Sequence, residues 1–269
     1  MKRQARLQES VYIITGASSG IGRALAIAIA RPGTVLGLIG RDTARLAETA
    51  QDCSSRGASV HALAVDVRRR DELRATILQF DFGHPVDCII ASAGISVGTS
   101  PEGEIESEEQ TFDLLETNLA GALATALPLI PRMCERRHGR VVFLSSIAAL
   151  SPLPDAAAYS GSKAALLAYG LAMRERLRDE GINVNVVCPG FVTTPMAARY
   201  LGWKPFEISP EDAARRIIHG LERNRAVIAF PWPLVLAARL QQMLPEQLRG
   251  LGSSAFRFRV ARRGERPGT

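Results

Sequence analysis

The chain has 269 residues, 46% of them hydrophobic and 22% charged, which suffices for one large α/β domain or two small ones and excludes a disordered or fibrous chain. Its net charge of +6 sits at the ends: Lys2, Arg3 and Arg6 against Glu9 give the first ten residues +2, and Arg257, Arg259, Arg262, Arg263 and Arg266 against Glu265 give residues 252–269 +4. The body between is neutral, which excludes a nucleic-acid face on the folded part and leaves the basic ends to solubility or to an anionic lipid surface. The first predicted element is a strand over 11–14, whose Val-Tyr-Ile-Ile run lacks polar alternation and therefore suits a parallel sheet covered on both faces.

A turn with the spacing Gly16-x-x-x-Gly20-x-Gly22 follows, with Thr15 in front and a helix pattern over 21–30 behind. Glycines there permit a tight turn, close backbone approach and a helix whose free N–H groups point outward, the arrangement that holds a pyrophosphate. Thr15, Gly16, Ser18, Ser19, Gly20, Ile21 and Gly22 are therefore assigned to a dinucleotide.

Strand and helix patterns then alternate. A second strand over 34–39 ends at Gly40-Arg41, where an acid would accept the ribose hydroxyls of NAD and a base would meet the 2′-phosphate of NADP. A neutral glycine followed by Arg41 favours NADP(H) over NAD(H), while Asp42 can instead cap the helix predicted over 43–54. The third strand, 59–65, ends at Asp66-Val67, where Asp66 can bond an adenine amine or cap the next turn of the chain. A helix over 70–80 and a fourth strand over 86–91 lead to Ser92-Ala93-Gly94, small enough for the chain to pass close to a cofactor. After a loop, a long helix over 109–137, interrupted or bent near Pro128 and Pro131, carries Asn118, and Gly121 beside it suggests close packing. A fifth strand over 140–144 ends in Ser145-Ser146, a helix covers 157–180, and a sixth strand over 182–188 leads into Pro189-Gly190. Residues 195–205 read as irregular, with Trp203 and Phe206 at an active-site rim. A helix from Pro210 to about 223 and a seventh strand over 226–230 follow.

The segment 232–244 is a nearly apolar helix with a narrow wet face of Arg239, Gln241 and Gln242, compatible with a lid or core element, a subunit interface or a membrane-surface patch. Residues 252–269 read as a basic, flexible tail, although 255–260 alternate as an edge strand would. Cys53, Cys88, Cys134 and Cys188 and the four His have no ligand spacing, so reduced thiols and no metal are expected. With no apolar run before the glycine turn, a cytoplasmic protein is expected, with peripheral membrane contact open through the C-terminal segment.

Tyr159 and Lys163 are spaced to share one helix face. An ammonium beside a phenol favours the phenolate, so Tyr159 can give a proton to a carbonyl oxygen or take one from an alcohol, while other donors of Lys163 hold a ribose. Ser146 can stabilise the charge on the substrate oxygen, and Asn118 can hold a water or backbone group that links Lys163 to solvent. Five elements in the order that one site needs make this a catalytic set rather than a surface pair.

With these residues the chain resembles a classical short-chain dehydrogenase/reductase over about 10–220. Thr15, Gly16, Gly20 and Gly22 match that family's glycine turn, Asn118, Ser146, Tyr159 and Lys163 its tetrad, and Asp66-Val67 its Asp-Val pair. Pro189, Gly190, Val192 and Thr194 match its nicotinamide-side segment. The resemblance implies a Rossmann-like, doubly wound parallel sheet of seven strands in one three-layer α/β/α domain over 1–251, 4-pro-S hydride transfer, and a homodimer or homotetramer. It implies an NADP-dependent reductase of a hydrophobic ketone or aldehyde, or the reverse reaction of a secondary alcohol. An oxidative NAD-dependent dehydrogenase, a membrane-peripheral lipid-modifying reductase and a non-catalytic dinucleotide-binding regulator are the alternatives. One departure is Ser92, where the family usually has an amide that bridges strands.

Overall fold

The structure, a computed structural model, describes residues 9–243 and 259–261. Strand β1 (Val11–Thr15) is buried beyond its first residue, with Tyr12 and Ile14 in the apolar cluster on one sheet face and Ile13 in the cluster on the other. Burial on both faces is what its unbroken apolar run predicts. β1 pairs in parallel with β2 (Val35–Gly40) and with β4 (Cys88–Ala91). β3 (Ser59–Ala64), β5 (Gly139–Leu144), β6 (Ile182–Pro189) and β8 (Val227–Phe230) complete a seven-stranded sheet in the order β3-β2-β1-β4-β5-β6-β8, parallel throughout. The strand order reverses between β1 and β4, which opens a crevice at the carboxyl ends of the strands. This is a Rossmann-like α/β fold.

Helices α1 (Gly20–Ile29), α2 (Thr43–Ser54) and α8 (Pro210–Glu222) bury Leu25, Leu46 and Ile217 against one face. α3 (Arg70–Gly83), α5 (Gly121–Ala126), α6 (Ile130–Arg136) and α7 (Ala157–Arg176) bury Ile77, Ala126, Met133 and Leu166 against the other. The long helix expected over 109–137 is interrupted near its prolines, as expected, and also earlier, at Asn118. α4 (Glu108–Leu115) passes into a π turn at Glu116–Ala120 that carries Asn118, and Pro128 lies in the break between α5 and α6 while Pro131 stands in the first turn of α6. Glu108–Arg136 is long and apolar enough by composition to cross a membrane, but half of its apolar window is buried inside this fold. The helix expected to reach 180 ends at Arg176 and is followed by a 3-10 turn at Arg178–Glu180.

Near the amino ends of β1 and β5, Arg140 donates to Glu9 Oε1 at 2.6 Å and to Asn185 Oδ1 at 2.8 Å. Tyr12 donates its hydroxyl to the Glu9 carbonyl. This buried polar network lies away from the crevice.

A second, antiparallel pair joins β7 (Tyr200–Leu201) to β9 (Arg259–Val260). The composition of residues 252–269 predicts a flexible tail and the alternation over 255–260 an edge strand; Arg259–Val260 form that strand, with β7 as ladder partner, and the segment's other residues except Ala261 lie outside those described. Residues 195–205, expected to be irregular, contain that short strand and a 3-10 turn at Ala197–Arg199. α9 (Trp232–Met243) follows β8.

Candidate active site

The crevice opens into a cavity of about 700 Å³. Its floor at one end is the glycine turn. Gly16 has φ +68°, and a Cβ there would stand 2.8 Å from Ala93 Cα; at Gly22 it would meet the Gly16 carbonyl oxygen at 2.4 Å. Ser19, the N-cap of α1, makes no side-chain capping bond, and the first turn of α1 holds no acidic residue. The cavity wall here is therefore an uncapped helix terminus over a cradle without side chains, which fits the pyrophosphate of a dinucleotide.

The predicted turn residues Gly16, Ser18, Ser19, Gly20, Ile21 and Gly22 line the cavity, as do Arg41, Val67, Ser92, Ala93 and Gly94. Two neighbours assigned to the cofactor do not. Thr15 is fully buried and its Oγ1 accepts from the N–H groups of Ser92 at 3.1 Å and Ala93 at 3.2 Å, so it shapes the wall by tying β1 to the loop after β4. Asp66 is not among the lining residues; it accepts from the Arg68 N–H at 3.0 Å, from Arg68 Nη2 at 2.9 Å and from Arg41 Nη1 at 3.4 Å. Burial opposes its charge, but the Arg68 bonds outweigh that and hold its carboxyl below the usual range. Asp42 caps α2, accepting from the Arg45 N–H at 3.0 Å, and Arg45 joins Arg41 on the cavity wall.

Further along the cavity, α7 presents Tyr159 and Lys163, and the end of β5 presents Ser146. Lys163 is buried and its Nζ donates to the Leu144 carbonyl at 2.8 Å while lying 5.6 Å from the centre of the Tyr159 ring. Burial pulls its ammonium down to about 8. Tyr159 is half-buried; burial pushes its phenol above the ordinary value, and the hydrogen bond from Ser146 only partly opposes this. Ser146 Oγ accepts from the Ala148 N–H at 3.1 Å.

Asn118 is fully buried and does not line the cavity. Its Oδ1 accepts from the Ile95 N–H at 2.7 Å and its Nδ2 donates to the Ile95 carbonyl at 2.9 Å, so the amide clamps a backbone group of the loop after β4. A Cβ on Gly94 would lie 3.2 Å from Asn118 Oδ1 and 3.6 Å from Lys163 Nζ, which puts the clamp beside the lysine. Pro189, Gly190, Val192 and Thr194 line the cavity from the end of β6.

The family model described as short chain dehydrogenase matches residues 10–204. The chain belongs to the short-chain dehydrogenases. An uncharacterized oxidoreductase of Myxococcus xanthus is 33% identical over 245 residues, 91% of this chain and 96% of that protein. The structure of a short-chain dehydrogenase from Sphingobium yanoikuyae in complex with NADPH is similar at 25% identity and a TM-score of 0.75, covering 88% of this chain and 97% of that one. A short chain dehydrogenase/reductase from Burkholderia phymatum in complex with NAD shares the fold, with a TM-score of 0.78 at 22% identity over 87% of this chain and 93% of that one. This short-chain dehydrogenase is therefore an oxidoreductase that uses a nicotinamide dinucleotide.

The rest of the dehydrogenase's cavity is mostly apolar, walled by Ile147, Leu153, Phe191, Met196, Leu234 and Ala237. Sequence reasoning placed Trp203 and Phe206 at its rim, but both are exposed and neither lines it. It overlooked Ser96, Arg199 and Tyr200, which do. The apolar helix α9 borders the cavity with its inner face. Leu234, Ala237, Ala238 and Gln241 line the cavity, and Trp232, Leu236, Leu240 and Met243 are exposed on the outside. Gln241, expected on a wet face, instead accepts from Ser151 Oγ at 2.6 Å, and Gln242 donates to the Leu150 carbonyl, so the glutamines tie α9 to the loop after β5.

Proposed function

We propose that this short-chain dehydrogenase is an NADP(H)-dependent reductase of hydrophobic ketones or aldehydes. The observation that carries the reading is one continuous cavity with an uncapped helix terminus and Arg41 at one end, an apolar wall at the other, and Ser146, Tyr159 and Lys163 between them. Arg41 and Arg45 give the adenosine end a basic wall suited to a 2′-phosphate. When bound, the nicotinamide supplies the hydride. Ser146 Oγ donates to the carbonyl oxygen and stabilises charge that develops there. Tyr159, kept protonated at neutral pH by burial, gives its proton to that oxygen. Lys163 contributes a fixed positive charge and further N–H donors for a ribose, and the Asn118 clamp holds the adjoining loop in place.

Turnover of a panel of carbonyls of increasing chain length, followed by NADPH oxidation, tests the reading. NADPH should bind at least tenfold more tightly than NADH, a difference of about 1.4 kcal/mol, and Arg41→Ala should erase that preference. Equal or tighter NADH binding would favour the oxidative NAD-dependent reading, and cofactor binding without any turnover the regulator. A homodimer or homotetramer is part of the proposal. Phe112, Leu127 and Leu171 are exposed on or beside α4, α5 and α7, a face suited to a second copy, and light scattering would show the state directly.

A further inference from the structure

Two hydroxyls stand together on the apolar wall of the substrate end. Ser96, 2% exposed on the loop after β4, is hydrogen-bonded through Oγ to the hydroxyl of Tyr200 on β7, and both residues line the cavity. Tyr200 is a neighbour of the proposed proton donor, since Tyr159 and Tyr200 pack against the same small cluster of Ala156 and Val260. Packing alone does not explain the pair: Phe and Ala would fill the same space without bringing two hydroxyls into an apolar wall, where polar groups cost free energy.

The pair is also held rigidly. Arg199 donates to the Ser96 carbonyl at 3.1 Å and, through Nε, to the Ala261 carbonyl at 3.0 Å, and the Ala261 N–H returns a bond to the Arg199 carbonyl at 2.9 Å. Tyr200 pairs with Val260 in the β7–β9 ladder, the Val260 N–H donates to the Thr99 carbonyl at 2.9 Å, and Arg259 reaches Asp155 at 3.1 Å. The strap Arg259–Ala261 thereby ties together the three loops that carry Ser96, Tyr200 and the start of α7. Phe191 sets the Tyr200 ring edge-on at 6.4 Å. Such bracing is what a recognition group needs in order to discriminate.

We propose that the Ser96–Tyr200 hydroxyl pair is a second recognition point for substrate, so that the preferred carbonyl compound carries a second oxygen, as a hydroxyl or a carbonyl. The inference rests on the carbonyl-reductase reading and narrows it. Each hydroxyl both donates and accepts, so the pair serves a hydroxyl or a carbonyl oxygen equally. Burial pushes the Tyr200 phenol up, which keeps its proton in place as a donor.

The experiment compares kcat/KM for a straight-chain methyl ketone with that for an α-hydroxy ketone and a β-keto ester of matched length, in the wild type, Tyr200→Phe and Ser96→Ala. NADPH affinity is measured alongside to separate loss of folding from loss of recognition. Intrinsic reactivity cancels when the ratio of oxygenated to plain ketone is compared between proteins. That ratio should fall about five- to tenfold in both variants for at least one oxygenated ketone, the loss expected for one hydrogen bond. Ratios within twofold of the wild type in both variants would overturn the proposal while leaving the carbonyl-reductase reading intact. Absence of NADPH-dependent turnover of all three ketones by the wild type would overturn both.

Discussion

A methyl group added at Gly16 should damage this protein in two separable ways. The backbone there has φ +68°, in the left-handed region where a Cβ costs roughly 1–2 kcal/mol. That Cβ would also sit 2.8 Å from Ala93 Cα and 2.9 Å from the Ala93 nitrogen, backbone atoms that Thr15 holds through its bonds to Ser92 and Ala93. Forcing them apart costs roughly 1–3 kcal/mol more. Gly33 provides the control: its φ is +88° but nothing lies within 4 Å of an added Cβ, so Gly33→Ala bears the conformational cost alone. Urea denaturation should show Gly33→Ala destabilised by about 1–2 kcal/mol and Gly16→Ala by about 2–5 kcal/mol. Fluorescence titration should show NADPH affinity lost only in Gly16→Ala, because Gly16 and Ala93 both line the cavity. A Gly16→Ala protein no less stable than Gly33→Ala, with NADPH affinity intact, would refute the close-approach reasoning.

Arg140→Ala leaves Glu9 buried without its cation and Asn185 without its donor, and denaturation should show a loss of about 3–5 kcal/mol, against under about 1 for the exposed Arg69 of the Arg69–Glu72 pair. Comparable small losses at both sites would contradict the burial assigned to the first. Lys163 gives a pH signature. Its folded value of about 8 lies below the ordinary 10.5, so between those values the unfolded chain binds more protons and stability should rise with pH. Denaturation across that window should show a steeper rise for the wild type than for Lys163→Met; parallel curves would mean that the ammonium is not buried.

What could be read from the sequence was whatever local chemistry dictates. The glycine turn is legible because close approach and positive φ leave few other residues acceptable at Gly16, and β1 and β4 because two-sided burial demands unbroken apolar runs. Tyr159 and Lys163 meet because helix periodicity forces it. The features that sequence reasoning missed arise from contacts between distant segments. Nothing local marks the π turn that turns Asn118 onto Ile95, residues 23 apart. The alternation over 255–260 signals a strand, but its partner β7 is two residues long and forms only through that pairing, so Tyr200 reads as part of an irregular stretch. Arg239 and Gln242 are exposed as a wet face requires, but Gln241 turns to the cavity because its partner, Ser151, lies in a loop about ninety residues earlier. Of the two roles open for Asp66, the cap of the next turn is seen in its bond from the Arg68 N–H at 3.0 Å, while the ion pair with the Arg68 side chain has no local signal, because that side chain can as easily point to solvent.

The most direct test of the account is single-turnover NADPH oxidation by the wild type and Tyr159→Phe with one hydrophobic ketone, with NADPH affinity titrated in both. The phenyl ring keeps the shape of the cavity wall and removes only the proton that the ketone oxygen must receive. NADPH should bind both proteins alike, and the chemical step should slow at least a hundredfold in Tyr159→Phe, the typical contribution of a positioned general acid. Unchanged turnover with unchanged NADPH binding would remove Tyr159 from the chemistry and contradict the mechanism.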